Sequence, residues 1–177
     1  MMVQDKVCIF DTSSLVYIYM HSRRSDAHTL LQKYKRELNL EYYLAANDLA
    51  KDLVGPLKTK YFTRISVLFT LEKSPRDDFF NEIKQVALDN NYISYDDVID
   101  EKLTDLDIVR LAVELQEQDK KVLIITDDEG IHKLVNEFEF DEAPEILYTH
   151  LFFLKMMPLI SDENDKKGAQ YNIQDSY

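Results

Sequence analysis

Acidic side chains follow two apolar runs of the chain at the point where each run ends. Asp11 comes directly after VCIF, and Thr126, Asp127 and Asp128 follow VLII. Neither run alternates with polar residues, which is typical of strands that are buried on both faces of a parallel sheet. Because ligands of open α/β sheets bind outside the carboxyl ends of the strands, we expect these side chains to lie at a ligand-binding edge.

Carboxylates gathered at one edge of a sheet repel each other unless a cation neutralises them. Oxygen-only ligand sets select Mg²⁺ or Mn²⁺, so the sequence predicts a divalent metal site at this edge. Asp11 taken alone also fits a simpler role as the N-cap of a following helix, because Asp accepts hydrogen bonds from free backbone N–H groups. One cap needs only one acid, however, and the second acidic strand end favours the metal site.

Other common catalytic groups are missing from the sequence. With three glycines, the chain contains neither a P-loop nor a dinucleotide-binding fingerprint, and it has no serine nucleophile elbow. The single cysteine, Cys8, excludes a disulfide framework within the chain and a thiolate metal cluster. We interpret Cys8 as a small buried residue of a strand in a reducing compartment. The histidines are scattered rather than paired at zinc-ligand spacing: His21, His28, His132 and His150.

Length and composition predict one domain with a sizeable core. The chain has 177 residues, of which 45% are hydrophobic. We expect the domain over residues 1–160 and a polar, flexible tail over 161–177. No apolar run reaches the roughly 18 residues of a membrane span, and the first apolar run is too short for a signal peptide. We therefore expect a cytoplasmic protein that makes no membrane contact.

Strand and helix patterns alternate along the chain, which predicts an α/β fold with a mainly parallel central sheet. Strands are expected at 7–10, 41–46, 122–125 and 145–149. Helices are expected at 12–20, 25–38, 49–54, 75–88 and 104–115. The residues expected at helix starts are Asn47 or Asp48, Ser74 and Thr104. Residues 94–102 read as a polar connector, and 61–71 and 151–157 fit either a strand or a helix.

Four short motifs, in their order and spacing, resemble the PIN domain family over residues 6–150. They are DTSSL after the first strand, an acid followed by Leu inside a helix (Asp52-Leu53), TDLDIVRLAVEL, and VLIITDD. The resemblance implies a three-layer α/β/α fold around a mainly parallel sheet. It is nearer to the ribosomal-RNA maturation and archaeal type than to the compact toxin type.

The resemblance also implies an activity and a set of site residues. Asp11, Asp52, Asp107 and Asp128 match the acids that PIN domains gather at one end of the sheet, and Asp11, Asp107 and Asp128 would bind Mg²⁺ or Mn²⁺. Asp52 would position the attacking water. The implied reaction is endonucleolytic hydrolysis of RNA phosphodiester bonds. The residues expected to support these acids are Thr12, Ser13, Asp105, Thr126 and Asp127.

Two departures from the family pattern leave a second function open. Many PIN domains carry a further acid after the VLIITDD-type segment, where this chain has Ile131 and His132. Asp52 stands where glutamate is commoner. Asp48 and Asp105 are the substitutes if the register differs from the one given above. The alternative function is a PIN-like module that binds a protein or RNA without cleaving it.

A phosphotransfer domain would also place aspartates at strand ends. A haloacid-type hydrolase, however, needs a second aspartate two residues after the first, and here Ser13 follows Asp11 at that position. A receiver domain needs paired acids and a late strand-end lysine, which the sequence does not supply. This third function is therefore disfavoured.

The net charge of −12 is unevenly distributed along the chain. Acids crowd 96–107 and 127–142, whereas basic residues cluster earlier. The basic residues expected to contact RNA are Arg23, Arg24, Lys51, Lys58 and Lys60. Solvated helix faces are the plain alternative for these charges. The sequence leaves a homodimer or a protein partner open.

Overall fold

A parallel sheet of five strands forms the centre of the domain. The computed structural model describes residues 6–21, 26–47 and 49–159, so the segment 161–177, expected as a tail, lies outside the described residues. The strands are β1 (Lys6–Phe10), β2 (Leu40–Ala45), β3 (Thr70–Glu72), β4 (Lys121–Ile125) and β5 (Glu145–Leu147). They lie in the order β3-β2-β1-β4-β5, and every neighbouring pair is parallel. All five carboxyl ends therefore meet at one edge of the sheet.

Helices follow the strands and cover both faces of the sheet, which confirms the expected three-layer α/β/α fold. They are α1 (Thr12–Val16), which continues as a π-helical segment (Tyr17–His21), α2 (Asp26–Glu37), α3 (Leu49–Asp52), α4 (Phe62–Leu68), which follows a second π-helical segment (Leu57–Tyr61), α5 (Asp78–Asp89), α6 (Tyr95–Ile99), α7 (Thr104–Glu117), α8 (Glu129–Glu137), and α9 (Thr149–Met156), which ends in a 3₁₀ turn (Met157–Leu159). In the described part of the chain, no helix combines the length and the apolar surface needed to cross a membrane.

The central strand β1 contributes side chains to the cores on both faces of the sheet. Cys8 and Phe10 belong to the core that α1, α2, α4 and α9 complete, whereas the other side chains of β1 pack against α5, α7 and α8. The ring of Phe10 meets those of Tyr42, Phe69 and Phe152 edge to face, at centroid distances of 5.3, 5.2 and 5.4 Å. Such edge-to-face contacts add to the stabilisation that burial of the rings provides. This packing holds the carboxyl end of β1 in a fixed position.

The segment 61–71, which fitted either a strand or a helix, contains both. It forms α4 and then, after the buried Phe69, the edge strand β3. The last strand is shorter than expected, since β5 ends at Leu147 and Tyr148 leads directly into α9. The other open segment, 151–157, is therefore helical. The polar connector at 94–102 contains the short helix α6.

Two residues expected at helix starts bind each other instead. The backbone N of Ser74 donates to Oδ1 of Asn47 at 2.8 Å, and Nδ2 of Asn47 donates to the carbonyl of Ser74 at 2.9 Å. The helix expected at 75–88 begins later, as α5, because Asp77 caps it by accepting a hydrogen bond from the backbone N of Phe80 at 3.0 Å. Asp48 lies outside the described residues.

Candidate active site

Asp11 lies at the carboxyl end of β1, and its carboxylate is held on both oxygens. The backbone N of Thr12 donates to Oδ1 at 2.6 Å, and the hydroxyls of Ser13 and Thr126 donate to Oδ2 at 2.7 and 3.0 Å. The residue is 6% exposed, and this burial raises the pKa of Asp11 although the hydrogen bonds act to lower it. Asp11 also caps α1, as the simpler interpretation expected. It is therefore both a helix cap and a buried acid.

The hydroxyls of Thr126 and Ser13 join the ends of β1 and β4. Oγ1 of Thr126, which donates to Asp11, accepts from the backbone N of Asp128 at 3.0 Å. Oγ of Ser13 accepts from the backbone N of Asp127 at 3.0 Å. These bonds fix the distance between the two acidic strand ends. The sequence correctly identified Ser13 and Thr126 as residues that support the acids.

Asp128 begins α8 and is held as its N-cap. Its Oδ1 accepts from the backbone N of Gly130 at 2.7 Å and of Ile131 at 3.1 Å. A Cβ atom at position 130 would lie 2.9 Å from that oxygen, so a residue larger than glycine would push the carboxylate out of place. Gly130 thus allows Asp128 to cap α8 and remain at the edge of the sheet.

Asp105, in the first turn of α7, is the centre of a cluster of acids. Its pKa is raised from 3.8 to about 7, first by burial and then by the negative charges of Asp11, Asp128, Asp52 and Asp97. The charged residues that produce this shift come from four other parts of the chain, and all of them are carboxylates. The term acid cluster is used below for Asp11, Asp52, Asp105 and Asp128. Sequence analysis assigned Asp105 only a supporting role.

Asp52 ends α3 and is tied to α7. The hydroxyl of Thr104 donates to Oδ2 of Asp52 at 2.5 Å. Thr104 was expected to cap α7, but its hydroxyl points to α3 instead, and Leu103 occupies the cap position without a side-chain hydrogen bond. The bond brings Asp52 toward the helix that carries Asp105. The prediction that Asp52 joins the acids is consistent with its effect on the pKa of Asp105.

Asp107 does not belong to the acid cluster, contrary to the prediction from the sequence. Its side chain is fully buried, and its Oδ1 and Oδ2 accept from Nε and Nη2 of Arg76 at 3.0 and 2.8 Å. A carboxylate paired in this bidentate way with a guanidinium has its charge neutralised by the protein. The position on α7 that the resemblance gave to Asp107 is therefore taken by Asp105.

Helix geometry explains why the two acids of α7 have different roles. Residues two apart on an α-helix point about 200° away from each other, so Asp105 and Asp107 cannot face the same neighbours. A second ion pair lies beside the first, since Nη2 of Arg110 is 2.7 Å from Oδ2 of Asp77 and lowers the pKa of Asp77 to about 2. The two pairs bind the start of α5 to α7 and thereby set the rotation of α7.

Asp97 was not selected from the sequence and lies close enough to influence Asp105. It forms a capping box at the start of α6, in which Oγ of Ser94 donates to Oδ2 of Asp97 at 2.6 Å. These hydrogen bonds lower the pKa of Asp97. The spacing Ser-x-x-Asp is a recognised signal for such a box, and it could have located this helix start in the sequence.

Asp127 has a different task from its neighbour Asp128. Its side chain is exposed, and Oδ1 accepts from the backbone N of Thr149 at 2.9 Å at the start of α9. The supporting role that the sequence gave to Asp127 is thus realised through its backbone N, which binds Ser13, and not through contact of its carboxylate with the acids. Thr12 likewise supports Asp11 through its backbone N.

The basic residues expected to contact RNA are only partly described. Arg23 and Arg24 lie outside the described residues, and Lys51 is in α3 with its side chain outside the description. Lys58 and Lys60 are exposed on the second π-helical segment, where the amine of Lys60 lies 5.1 Å from the ring centroid of Tyr61. These two remain available for phosphate contacts.

The acid cluster has the donor chemistry of a site for a hard divalent cation. Carboxylate oxygens are the ligands that Mg²⁺ and Mn²⁺ prefer, and the repulsion that raises the pKa of Asp105 is of the kind that a bound cation relieves. Within residues 6–21, 26–47 and 49–159, no three acidic, histidine or cysteine side chains are placed to share one ion. Binding by three of the acids would therefore require rotation of their side chains.

Comparison of this chain with protein-family models and with curated proteins returns no match.

Proposed function

We propose that this protein is a metal-dependent endoribonuclease whose active site is the acid cluster at the carboxyl edge of the sheet. The observation that carries the proposal is the raised pKa of Asp105, because it shows carboxylates from separate elements acting on one another at that edge. The resemblance of DTSSL, TDLDIVRLAVEL and VLIITDD to PIN domains supports RNA as the substrate.

The residues of the cluster divide the work. Asp11, Asp105 and Asp128 would hold Mg²⁺ or Mn²⁺, which when bound stabilises negative charge on the phosphodiester and lowers the pKa of the attacking water. Asp52, oriented by the hydroxyl of Thr104, is placed to accept a hydrogen bond from that water. Thr126 keeps Asp11 and Asp128 at a fixed separation.

Cleavage of labelled single-stranded and hairpin RNAs, with Mn²⁺, Mg²⁺ or EDTA, tests the proposal. The wild-type protein should cut RNA in either metal and not in EDTA. Asp11→Asn and Asp105→Asn should each lower the rate by about a hundredfold or more, as expected when one electrostatic stabiliser of a transition state is removed.

The matched control is Asp119→Asn, which makes the same chemical change beyond the other end of α7. Asp119 is exposed and has a φ of 61°, a conformation that asparagine adopts as readily as aspartate. This variant should cleave at the wild-type rate. Cleavage that continues in EDTA, or that survives Asp11→Asn, would contradict the proposal.

A non-catalytic interaction module is the second candidate, and an apolar groove supports it. The groove has a volume of about 470 Å³ and is lined by Ala46, Leu49, Leu53, Lys58, Phe62 and Leu71. Phe62 and Leu71 are 42% and 39% exposed, which is unusual for large apolar residues of a monomer. No cleavage by the wild type, under conditions in which a control nuclease is active, would favour this function. Sedimentation velocity of the wild type and of Phe62→Lys would then show whether a second copy binds there.

A further inference from the structure

Three aromatic rings form a column at the carboxyl end of the sheet. The ring of Tyr148, the residue after β5, lies on that of His132 with a centroid distance of 3.9 Å and an angle of 18° between the planes. On its other side is the ring of His150, at 5.9 Å and 27°. His132 is 8% exposed, whereas Tyr148 and His150 are only half-buried. The column therefore has a buried inner end and an outer end that reaches solvent.

Hydrogen bonds attach this column to the elements that carry the acid cluster. At the inner end, Nε2 of His132 is 3.0 Å from the carbonyl oxygen of Thr126, the residue whose hydroxyl binds Asp11. The hydroxyl of Tyr148 donates to Oε1 of Glu129 at 2.8 Å, one residue after Asp128.

Thr149, between the two outer rings, is held as well. Its backbone N donates to Asp127 at 2.9 Å, and its hydroxyl donates to Oγ of Ser14 at 2.8 Å. The outer rings thus have a fixed place beside the ends of β1 and β4. A stacking surface needs such rigidity, because ordering mobile rings on binding would cost free energy.

The charge of the site makes a stacking surface useful. The charged groups that raise the pKa of Asp105 are all carboxylates, and a phosphate chain is repelled by such a group of acids. Stacking of a base on an aromatic ring does not depend on charge, and it is a common way in which proteins hold single strands. Bases in a duplex are paired and stacked on each other, so their faces are not available to a side chain.

We infer that Tyr148 and His150 bind a nucleobase of single-stranded RNA by stacking, next to the phosphodiester bond that lies at the acid cluster. The inference rests on the proposed function and adds to it the class of substrate, single-stranded RNA with an unpaired base beside the cleavage site. His132 is a positioning residue, since it supports the inner face of the Tyr148 ring.

The chain contains no tryptophan, which allows a direct test. Tyr148→Trp places a single fluorescent indole in the column, and stacking with a base quenches indole fluorescence. Titration with an oligoadenylate should quench this variant. Phe140→Trp is the control, because residue 140 precedes β5 and lies toward the opposite end of the sheet. The measurement is made with Mg²⁺ and repeated in EDTA, so it does not depend on cleavage.

Anisotropy with a labelled oligoadenylate separates stacking from other contacts. Tyr148→Leu should bind about tenfold or more weakly than the wild type, while Tyr148→Phe, which keeps the ring, should stay within about threefold. For the wild type, an abasic oligomer of the same length and a duplex should bind as weakly as oligoadenylate binds to Tyr148→Leu. Thermal unfolding followed by circular dichroism establishes that each variant is folded.

The outcomes distinguish this inference from the proposed function. RNA cleavage together with unquenched Tyr148→Trp, or with equal binding of the abasic oligomer, would overturn the stacking surface and leave the nuclease standing. Quenching of Tyr148→Trp without cleavage by the wild type would support the stacking surface and overturn the nuclease. Equal quenching of Phe140→Trp would show non-specific binding and overturn the inference.

Discussion

Replacing Asp105 with asparagine tests whether α7 presents this carboxylate to the other acids. The pKa of Asp105 is raised from 3.8 to about 7 by burial and by the charges around it. An acid with a higher pKa in the folded chain binds more protons there than in the unfolded chain. The free energy of unfolding of the wild type should therefore fall as the pH rises through the interval from about 4 to about 7.

The expected gain follows from the size of this shift. One pKa unit corresponds to about 1.4 kcal/mol, so a shift of about 3 units costs the wild type at most about 4 kcal/mol above pH 7. Asp105 keeps some contact with solvent and shares its titration with Asp11, so we expect about 2–4 kcal/mol. Asp105→Asn should raise the free energy of unfolding by this amount near pH 8 in EDTA, and its Tm by about 4–15 °C. Near pH 4 the difference should be smaller than about 0.5 kcal/mol.

Urea titrations followed by circular dichroism at both pH values measure the effect. Asp119→Asn, the exposed control, should leave the free energy of unfolding unchanged. Saturating Mg²⁺ or Mn²⁺ should reduce the advantage of Asp105→Asn, because a cation that binds the folded state stabilises the wild type more. The assignment is refuted if Asp105→Asn destabilises the protein at both pH values, or if Asp107→Asn produces the pH-dependent gain instead.

Three further predictions concern residues that hold the site in place. Arg76→Gln leaves the carboxylate of Asp107 buried without its charge partner and should lower the free energy of unfolding by about 2–4 kcal/mol, less than for a fully buried pair because Arg76 is partly exposed; adding Asp107→Asn should recover part of the loss in urea titrations. Thr126→Val removes the hydroxyl that binds Asp11 and should cost about 1–3 kcal/mol in the same assay, whereas an unchanged midpoint would show that this hydroxyl is not needed. Burial raises the pKa of Cys8 to about 12, so a thiol reagent such as Ellman's reagent should label Cys8 only after denaturant is added, and rapid labelling of the native protein would contradict the packing around β1.

The inner strands could be predicted because local composition decides them. The apolar runs at 7–10 and 122–125 are long enough and uniform enough to be read as buried strands, and they pair in parallel as β1 and β4. The edge strand β3 has three residues, all exposed, and no pattern of its own. It is a strand because the chain after α4 lies beside β2, which is a property of tertiary packing.

The candidate site was predictable to the extent that its residues follow strands directly. Asp11 and Asp128 were identified in this way. The choice between Asp105 and Asp107 depends on Arg76, which lies 31 residues from Asp107 in the sequence and pairs with it only after folding. A basic residue before a helix gives no local sign of the partner that it will have. The column of Tyr148 was missed for the same reason, since its rings belong to α8 and to the start of α9.

The arrangement of the sheet has a consequence for synthesis of the chain on the ribosome. β1 emerges early, but β4, its neighbour on one side, emerges much later: Ser14, just after β1, binds the carbonyl oxygen of Ile125, 111 residues away in sequence. Until then, one edge of an entirely apolar strand has no partner in the nascent polypeptide, and such edges promote association with other chains. The acids of α7 and β4 cannot meet Asp11 before that moment either. A nascent chain therefore acquires its site in a single late event, at the same time as it closes its sheet.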